Sequence, residues 1–161
     1  MTADQKKFIR DAYAAALRSG HIFPGMAACE AALESGYGRS QLAVQDKNLF
    51  GMKQHRHAVY GTHVLPTKEF ENGEWITADA RWVSYPDWAS CFSDRMATLL
   101  RLASTFPHYA AALGASSAVT YINEVSQTWS TDPRRAAKVL AIYDAMGGDW
   151  DANPANTTSA T

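Results

Sequence analysis

Apolar residues recur at helical spacing through the first quarter of the chain. They predict an amphipathic helix over residues 4–18 and a second helix that begins near Pro24 and ends at Gly36. Proline suits the first turn of a helix because the N–H that it lacks has no partner there, and glycine suits the residue after the last turn. A short third helix is predicted over residues 38–45, and residues 46–61 show no regular pattern.

Strand-forming residues dominate the stretch from 62 to 85. Asn72-Gly73 divides this stretch and is typical of a two-residue type I′ hairpin turn, in which both residues have positive φ. The turn sets a register that pairs Phe70 with Trp75. Because side chains alternate along a strand, Glu69 is expected on the opposite face of the hairpin from these two rings.

Helical periodicity returns after Pro86, and it predicts helices near residues 87–103, 106–113, 116–129 and 133–145. Ser116 and Asp132 are expected as N-caps, since their side-chain oxygens can accept hydrogen bonds from the first turn of a helix. Pro133 then suits the first helical position.

Helices, one hairpin and further helices predict a small α+β domain over residues 1–150, with the hairpin as a lobe over a helical body. Residues 151–161 carry no apolar anchor, so they are expected to form a disordered tail. The composition is that of an ordinary globular protein, with 47% hydrophobic and 19% charged residues. We expect a monomer.

The formal net charge is −1, so the chain has no general positive field that would attract nucleic acid. It contains no run of about 20 apolar residues, so no membrane insertion is expected. The first residues lack the apolar segment and the cleavage site of a signal peptide.

Two cysteines, Cys29 and Cys91, lie within apolar helical patterns and are expected as reduced core residues. Three histidines, His55, His57 and His63, lie close together in the sequence. No cysteine and few carboxylates accompany them at the spacing of metal ligands. We therefore expect neither a metal nor another cofactor.

Glu34 lies in the last predicted turn of a short, Ala-rich helix, and Gly36 and Gly38 follow it. The C-terminus of a helix carries partial negative charge, which disfavours the anionic form of a carboxyl group, and apolar neighbours would add to this effect. A carboxyl group that stays protonated near neutral pH can act as a proton donor. A solvated surface position is the commoner explanation, and Glu30 lies one turn earlier on roughly the same face.

Four segments that occur in order between about residues 8 and 147 are together more specific than the local setting of Glu34. They are Glu34-Ser35-Gly36-Tyr37-Gly38, Asn48-Leu49-Phe50-Gly51-Met52-Lys53, Trp82-Val83-Ser84-Tyr85-Pro86-Asp87 and Trp129-Ser130-Thr131-Asp132-Pro133. Together they resemble the signature of the bacterial endo-β-N-acetylglucosaminidases, a family that includes autolysins, phage endolysins and flagellar rod-associated peptidoglycan hydrolases. The resemblance implies a lysozyme-like α+β fold with a substrate groove between helical body and hairpin lobe.

The resemblance also implies a function. Glu34 matches the general acid of the family, and the bond cleaved is the β-1,4 link on the N-acetylglucosamine side of the peptidoglycan strand. Glu69 resembles a lobe carboxylate that acts as its partner, whereas Glu71 and Glu74 are expected to solvate the turn. The glycan strand is expected to contact residues of the matched motifs, namely Tyr37, Asn48, Phe50, Tyr85 and Trp129; core packing is the alternative for Phe50.

The chain departs from the family pattern at two positions. Val83 stands where an arginine is usual, which removes a contact that could brace the lobe. Trp129 stands where a tyrosine is usual, which keeps an aromatic surface for stacking but removes a hydroxyl group.

Two other functions fit the same sequence. A lytic transglycosylase or muramidase shares the fold and the single essential glutamate, and a catalytically idle wall-binding or assembly module could retain the fold alone. Because no signal peptide is evident, delivery to the cell wall is expected through a phage holin, a secretion machine or a larger parent protein.

Overall fold

The computed structural model describes residues 1–57 and 59–151. The predicted α+β class is confirmed, because helices precede and follow a single two-stranded sheet. The elements are α1 (Ala3–Arg18), α2 (Pro24–Ser35), α3 (Gln41–Asp46), β1 (Thr62–Glu71), β2 (Glu74–Val83), α4 (Trp88–Leu102), α5 (Pro107–Leu113), α6 (Ala118–Trp129) and α7 (Arg135–Ala145).

The second helix, α2, forms the centre of the helical body. It is rich in alanine and is buried on nearly every side. Its Glu30 side chain is charged and also lies within the core. Helix α1 packs against it from one direction and helix α7 from another. A helix that is apolar all round belongs in a core, and small side chains allow its neighbours to approach closely.

The hairpin has the predicted register, with Phe70 opposite Trp75 and Glu69 opposite Ile76. Asn72 and Gly73 both have positive φ, at 50° and 83°, as a type I′ turn requires. The rings of Phe70 and Trp75 lie 5.3 Å apart on one face, and they are 60% and 71% exposed. The outer end of the lobe therefore presents an aromatic surface to solvent.

Three predicted helix starts differ from the structure. Helix α3 begins at Gln41 because the Ser40 hydroxyl caps it, accepting a hydrogen bond from the N–H of Ala43. The N-cap of α6 is Ser117 and not Ser116. Helix α7 begins at Arg135, and Asp132 instead caps the preceding turn by accepting a hydrogen bond from the N–H of Arg134. Neighbouring polar residues compete for such positions, so sequence alone misplaces a cap by one or two residues.

Asp151 fastens the end of the described chain to the body. Its carboxylate accepts hydrogen bonds from the N–H groups of Gly25 (2.8 Å) and Met26 (2.7 Å), at the first turn of α2. The sequence predicts that position 151 begins a disordered tail, whereas Asp151 packs on the helical body. The rest of that predicted tail, residues 152–161, lies outside the described residues.

The two cysteines, Cys29 and Cys91, are free and buried, as predicted. Among the residues that the structure describes, no helix has the length and apolar character needed to cross a membrane.

Candidate active site

The end of α2 turns sharply directly after Glu34. Gly36, Tyr37 and Gly38 all adopt left-handed backbone conformations, with φ of 58°, 58° and 74°. The Ser35 hydroxyl stabilises this turn by donating to the carbonyl of Ala31 (2.6 Å) and accepting from the N–H of Gly38 (2.8 Å).

Two features of the turn favour glycine at position 38. One is its left-handed φ of 74°, and the other is the close packing of Phe8. A Cβ atom at position 38 would lie 2.6 Å from the ring of Phe8, closer than van der Waals contact allows. The turn can therefore form against α1 only with glycine there. Sequence and packing together fix where α2 stops, and thus where Glu34 lies.

Glu34 is partly exposed and ion-paired. Its side chain is 26% exposed, and its Oε1 atom accepts a hydrogen bond of 2.8 Å from Nε of Arg135. The sequence predicts apolar neighbours for Glu34, whereas the structure places the charged side chain of Arg135 beside it. Arg135 gives the Glu34 carboxylate a fixed, charged hydrogen-bond donor.

Glu30 is fully buried and has three partners. Its carboxylate accepts hydrogen bonds from Nη2 of Arg95 (2.9 Å), Nη2 of Arg135 (2.7 Å) and the hydroxyl of Tyr121 (3.0 Å). Burial by itself would raise the pKa of Glu30, but the two guanidinium groups hold it at about 2. Glu30 is thus an anion that belongs to the core.

These contacts form a continuous ion-pair chain, which runs Arg95, Glu30, Arg135, Glu34. Its two positive and two negative charges balance, and three of its four members are buried. Burial opposes the charge on Arg135, but Glu30 and Glu34 keep its pKa above the ordinary value. The ion-pair chain connects Glu34 to the centre of the protein.

Arg95 also links the ion-pair chain to aromatic rings. Its guanidinium lies 3.6 Å from the ring centroid of Trp129 and 4.6 Å from that of Phe50. Stacking on an aromatic face stabilises a guanidinium that water cannot reach. Three segments that are distant in sequence, those around Glu34, Phe50 and Trp129, therefore meet at the ion-pair chain.

Three of the predicted glycan contacts are buried: Asn48, Phe50 and Tyr85. The Asn48 amide donates to the carbonyls of Met52 and Val83, both at 2.9 Å, and thus ties the loop after α3 to the end of β2. The Tyr85 hydroxyl donates to Asp94 at 2.6 Å. Each of these polar groups satisfies its hydrogen bonding inside the protein.

The other two predicted contacts, Tyr37 and Trp129, are partly buried at the surface of the core. Tyr37 lies in the turn after Glu34, and its ring is nearly perpendicular to that of Phe8, with the ring centroids 6.4 Å apart. Trp129 is the last residue of α6, and its ring contacts Arg95, the end of the ion-pair chain opposite to Glu34.

Glu69 belongs to the hairpin lobe and not to the ion-pair chain. Its side chain is 37% exposed, and its Oε1 atom lies 3.2 Å from Nζ of Lys53. Lys53 in turn lies over the ring of Trp82 on β2. The contact joins the loop before the hairpin to the outer half of the lobe.

Arg95 and Arg135 were not predicted as site residues. A signal existed for Arg95, because it follows Cys91 and Phe92 by four and three residues and so lies on the buried face of α4. Arg135 likewise precedes Val139 and Tyr143 by four and eight residues on the buried face of α7. A charged residue on a buried helix face calls for a partner of opposite charge.

Metal binding finds no support in the described parts of the chain. Among residues 1–57 and 59–151, no group of three or more His, Cys, Asp or Glu side chains is placed to hold a metal ion. His63 instead pairs with Asp46 at 3.1 Å.

Residues 10–147 match a family model described as mannosyl-glycoprotein endo-beta-N-acetylglucosaminidase. The chain belongs to this glucosaminidase family. The match covers the turn after α2, the hairpin and the start of α7, and it confirms the family resemblance seen in the four sequence segments.

Named relatives of this glucosaminidase chain are longer than it is. A probable N-acetylmuramidase from Lactococcus lactis subsp. cremoris is 29% identical over 150 residues, which cover 84% of this chain and 32% of that protein. Exo-glucosaminidase LytG from Bacillus subtilis (strain 168) is 31% identical over 129 residues, which cover 77% and 44%. This chain thus spans less than half the length of either relative.

The fold also has a counterpart among solved structures. The catalytic domain of the autolysin Auto from Listeria monocytogenes has a TM-score of 0.76 and 21% identity, over 91% of this chain and 86% of that domain. The predicted fold, a helical body with one hairpin lobe as in lysozyme, is confirmed by this likeness.

Proposed function

We propose that this chain hydrolyses peptidoglycan at the β-1,4 bond on the N-acetylglucosamine side, and so acts at the bacterial cell wall. The observation that carries the proposal is the position of Glu34 within the family match. It is a partly exposed carboxyl group at a rigid turn, and buried charges hold it in place. Membership of the glucosaminidase family supports the class of reaction.

Glu34 serves as the general acid in this proposal. Its Oε1 atom receives the hydrogen bond from Arg135, so Oε2 is the oxygen available to carry the proton. That proton passes to the glycosidic oxygen as the bond between this oxygen and the anomeric carbon breaks. Water adds to the anomeric carbon and releases the proton that restores the acid.

Glu69 is the proposed partner carboxylate. It lies on the lobe, partly exposed, and the ammonium group of Lys53 supports its negative charge. A second carboxylate can activate the attacking water or stabilise positive charge on the sugar ring. Assistance from the substrate's own acetamido group is the alternative for this step.

We assign the predicted glycan contacts to two roles. Tyr37 and Trp129 are partly buried at the surface of the core and can stack on sugar rings. Asn48, Phe50 and Tyr85 are buried, so they support the site from within and do not need to touch the substrate.

The proposed bond specificity is tested by the fragments that the purified chain releases from purified cell wall. Mass spectrometry of the soluble products is expected to show reducing N-acetylglucosamine ends. A muramidase is the second candidate, favoured by the name of the Lactococcus relative, and it would leave reducing N-acetylmuramic acid ends. Anhydro ends would establish a transglycosylase, and binding without fragments would establish an idle wall-binding module.

Replacing Glu69 tests the partner carboxylate. Glu69→Gln is expected to lower kcat about 10-fold to 100-fold, because the amide cannot accept a proton from water or balance a positive charge. Glu71→Gln is the matched control, since Glu71 lies two residues away on the same strand and next to the turn. Equal rates for the two variants would remove Glu69 from the mechanism and leave substrate assistance.

A further inference from the structure

Arg135 connects the two glutamates of α2, although it lies about 100 residues further along the chain. It is the first residue of α7, and its side chain is buried. Each guanidinium nitrogen donates to a different acceptor: Nε to Glu34 at 2.8 Å, Nη2 to Glu30 at 2.7 Å and Nη1 to the Ser126 hydroxyl at 2.9 Å.

A guanidinium held at three points has a fixed plane. Its donors form a rigid fork, so the acceptors that it binds are fixed relative to one another. Glu30 and Ser126 belong to the buried body, and they therefore determine where Arg135 presents its Nε–H. The partly exposed carboxylate of Glu34 takes its position from that N–H.

We infer that Arg135 is a positioning residue for the reaction: it orients the Glu34 carboxyl group through the hydrogen bond from its Nε–H. The inference rests on the proposed function of Glu34. Glu30 and Ser126 hold the guanidinium within the body, so buried groups set the direction of the Nε–H and with it the orientation of Glu34.

The titratable groups around this contact come from several elements. Arg95 on α4 and Tyr121 on α6 bind Glu30, and His21 and Tyr109 lie within the field of the same charges. Arg134 and Lys138 on α7 pair with Asp132. Among the hydrogen bonds of the described residues, only the one from Arg135 joins a charged group to Glu34.

The test measures kcat and KM for wall hydrolysis by the wild-type chain and by Arg135→Gln. Arg135 contacts Glu34 and not the glycan, so loss of its fixed donor is expected to lower kcat about 10-fold or more and to leave KM within about twofold. Glu30 keeps partners in this variant, because it still binds Arg95 and Tyr121.

Arg135→Lys separates charge from orientation. An ammonium group restores the positive charge but cannot bind three acceptors in a fixed plane. Its kcat is expected to stay low while its KM and its melting temperature stay close to the wild-type values. Arg134→Gln is the matched control, because Arg134 is the exposed neighbour in the same turn, and it is expected to leave kcat and KM unchanged.

Two results would overturn the inference. One is a folded Arg135→Gln variant whose kcat equals that of the wild type, and the other is an Arg135→Lys variant with wild-type kcat. Circular dichroism establishes folding, and if Arg135→Gln does not fold, the kcat of Arg135→Lys decides.

A readout without turnover separates this inference from the proposed function. The chemical shift of the Glu34 carboxyl carbon reports its hydrogen bonding, and it is expected to change in Arg135→Gln but not in Arg134→Gln. If it changes but the wild-type chain releases no wall fragments, the proposed function fails while the positioning role of Arg135 stands. Wall hydrolysis with an unchanged Glu34 signal would reverse that conclusion.

Discussion

Glu34→Gln is expected to lower the rate of cell-wall hydrolysis by about a thousandfold or more while the fold is kept. Glutamine has the same shape as glutamate, and its amide oxygen can still accept the hydrogen bond from Arg135. It has no proton to give to the glycosidic oxygen. The loss should therefore appear in kcat, with little change in the melting temperature.

The measurement is the clearing of a wall suspension together with thermal unfolding of the same sample. Glu74→Gln provides the matched control, because this exposed glutamate lies beside the hairpin turn and contributes to no proposed step. Near-normal clearing by a folded Glu34→Gln variant would mean that another group supplies the proton.

Glu30→Leu is expected to have the largest effect on stability. The substitution leaves Arg95 and Arg135 buried without their shared carboxylate, and removing one partner from a buried ion pair costs about 3–5 kcal/mol. That is a large part of the free energy of unfolding of a domain of this size. Denaturation in urea would measure the loss.

Glu124→Leu is the control for this variant. Glu124 pairs with His108 on the surface, so the same chemical change is expected to cost less than about 1 kcal/mol there. A cost for Glu30→Leu as small as that of the control would show that the core does not depend on the Glu30 anion.

The effect of Glu30→Leu should also depend on pH. The pKa of Glu30 is held at about 2 in the folded protein, compared with 4.5 as its ordinary value. A lowered folded-state pKa gives stabilisation that is complete above the unfolded value and is lost as the pH falls through the folded value. The difference in unfolding free energy between wild type and variant is therefore expected to narrow between about pH 4.5 and pH 2.

The local features of the fold were predictable because they depend on neighbouring residues. Asn72-Gly73 determined the hairpin turn and its register, and Pro24 and Gly36 bounded α2. Helix caps were less certain, since adjacent serines such as Ser116 and Ser117 can each fill the same position. The Asn48 amide binds the carbonyl of Val83, which lies 35 residues further along the chain, and no local pattern reveals this contact.

The candidate site was predictable only in part, for the same reason. The local pattern placed Glu30 and Glu34 on one side of a helix, and only the family resemblance of the segment around Glu34 distinguished their roles. The physical difference arises from Arg95 and Arg135, which reach α2 from two other helices. These tertiary contacts make one glutamate a buried structural anion and leave the other partly exposed, which no local pattern shows.

The buried thiols have a consequence for where this domain can fold. Burial raises the pKa of both Cys29 and Cys91 to about 12, so almost none of the reactive thiolate is present near neutral pH. The described fold contains no bond that oxidation must form, and its thiols are shielded from oxidants. The domain can therefore reach the same covalent state under reducing and under oxidising conditions.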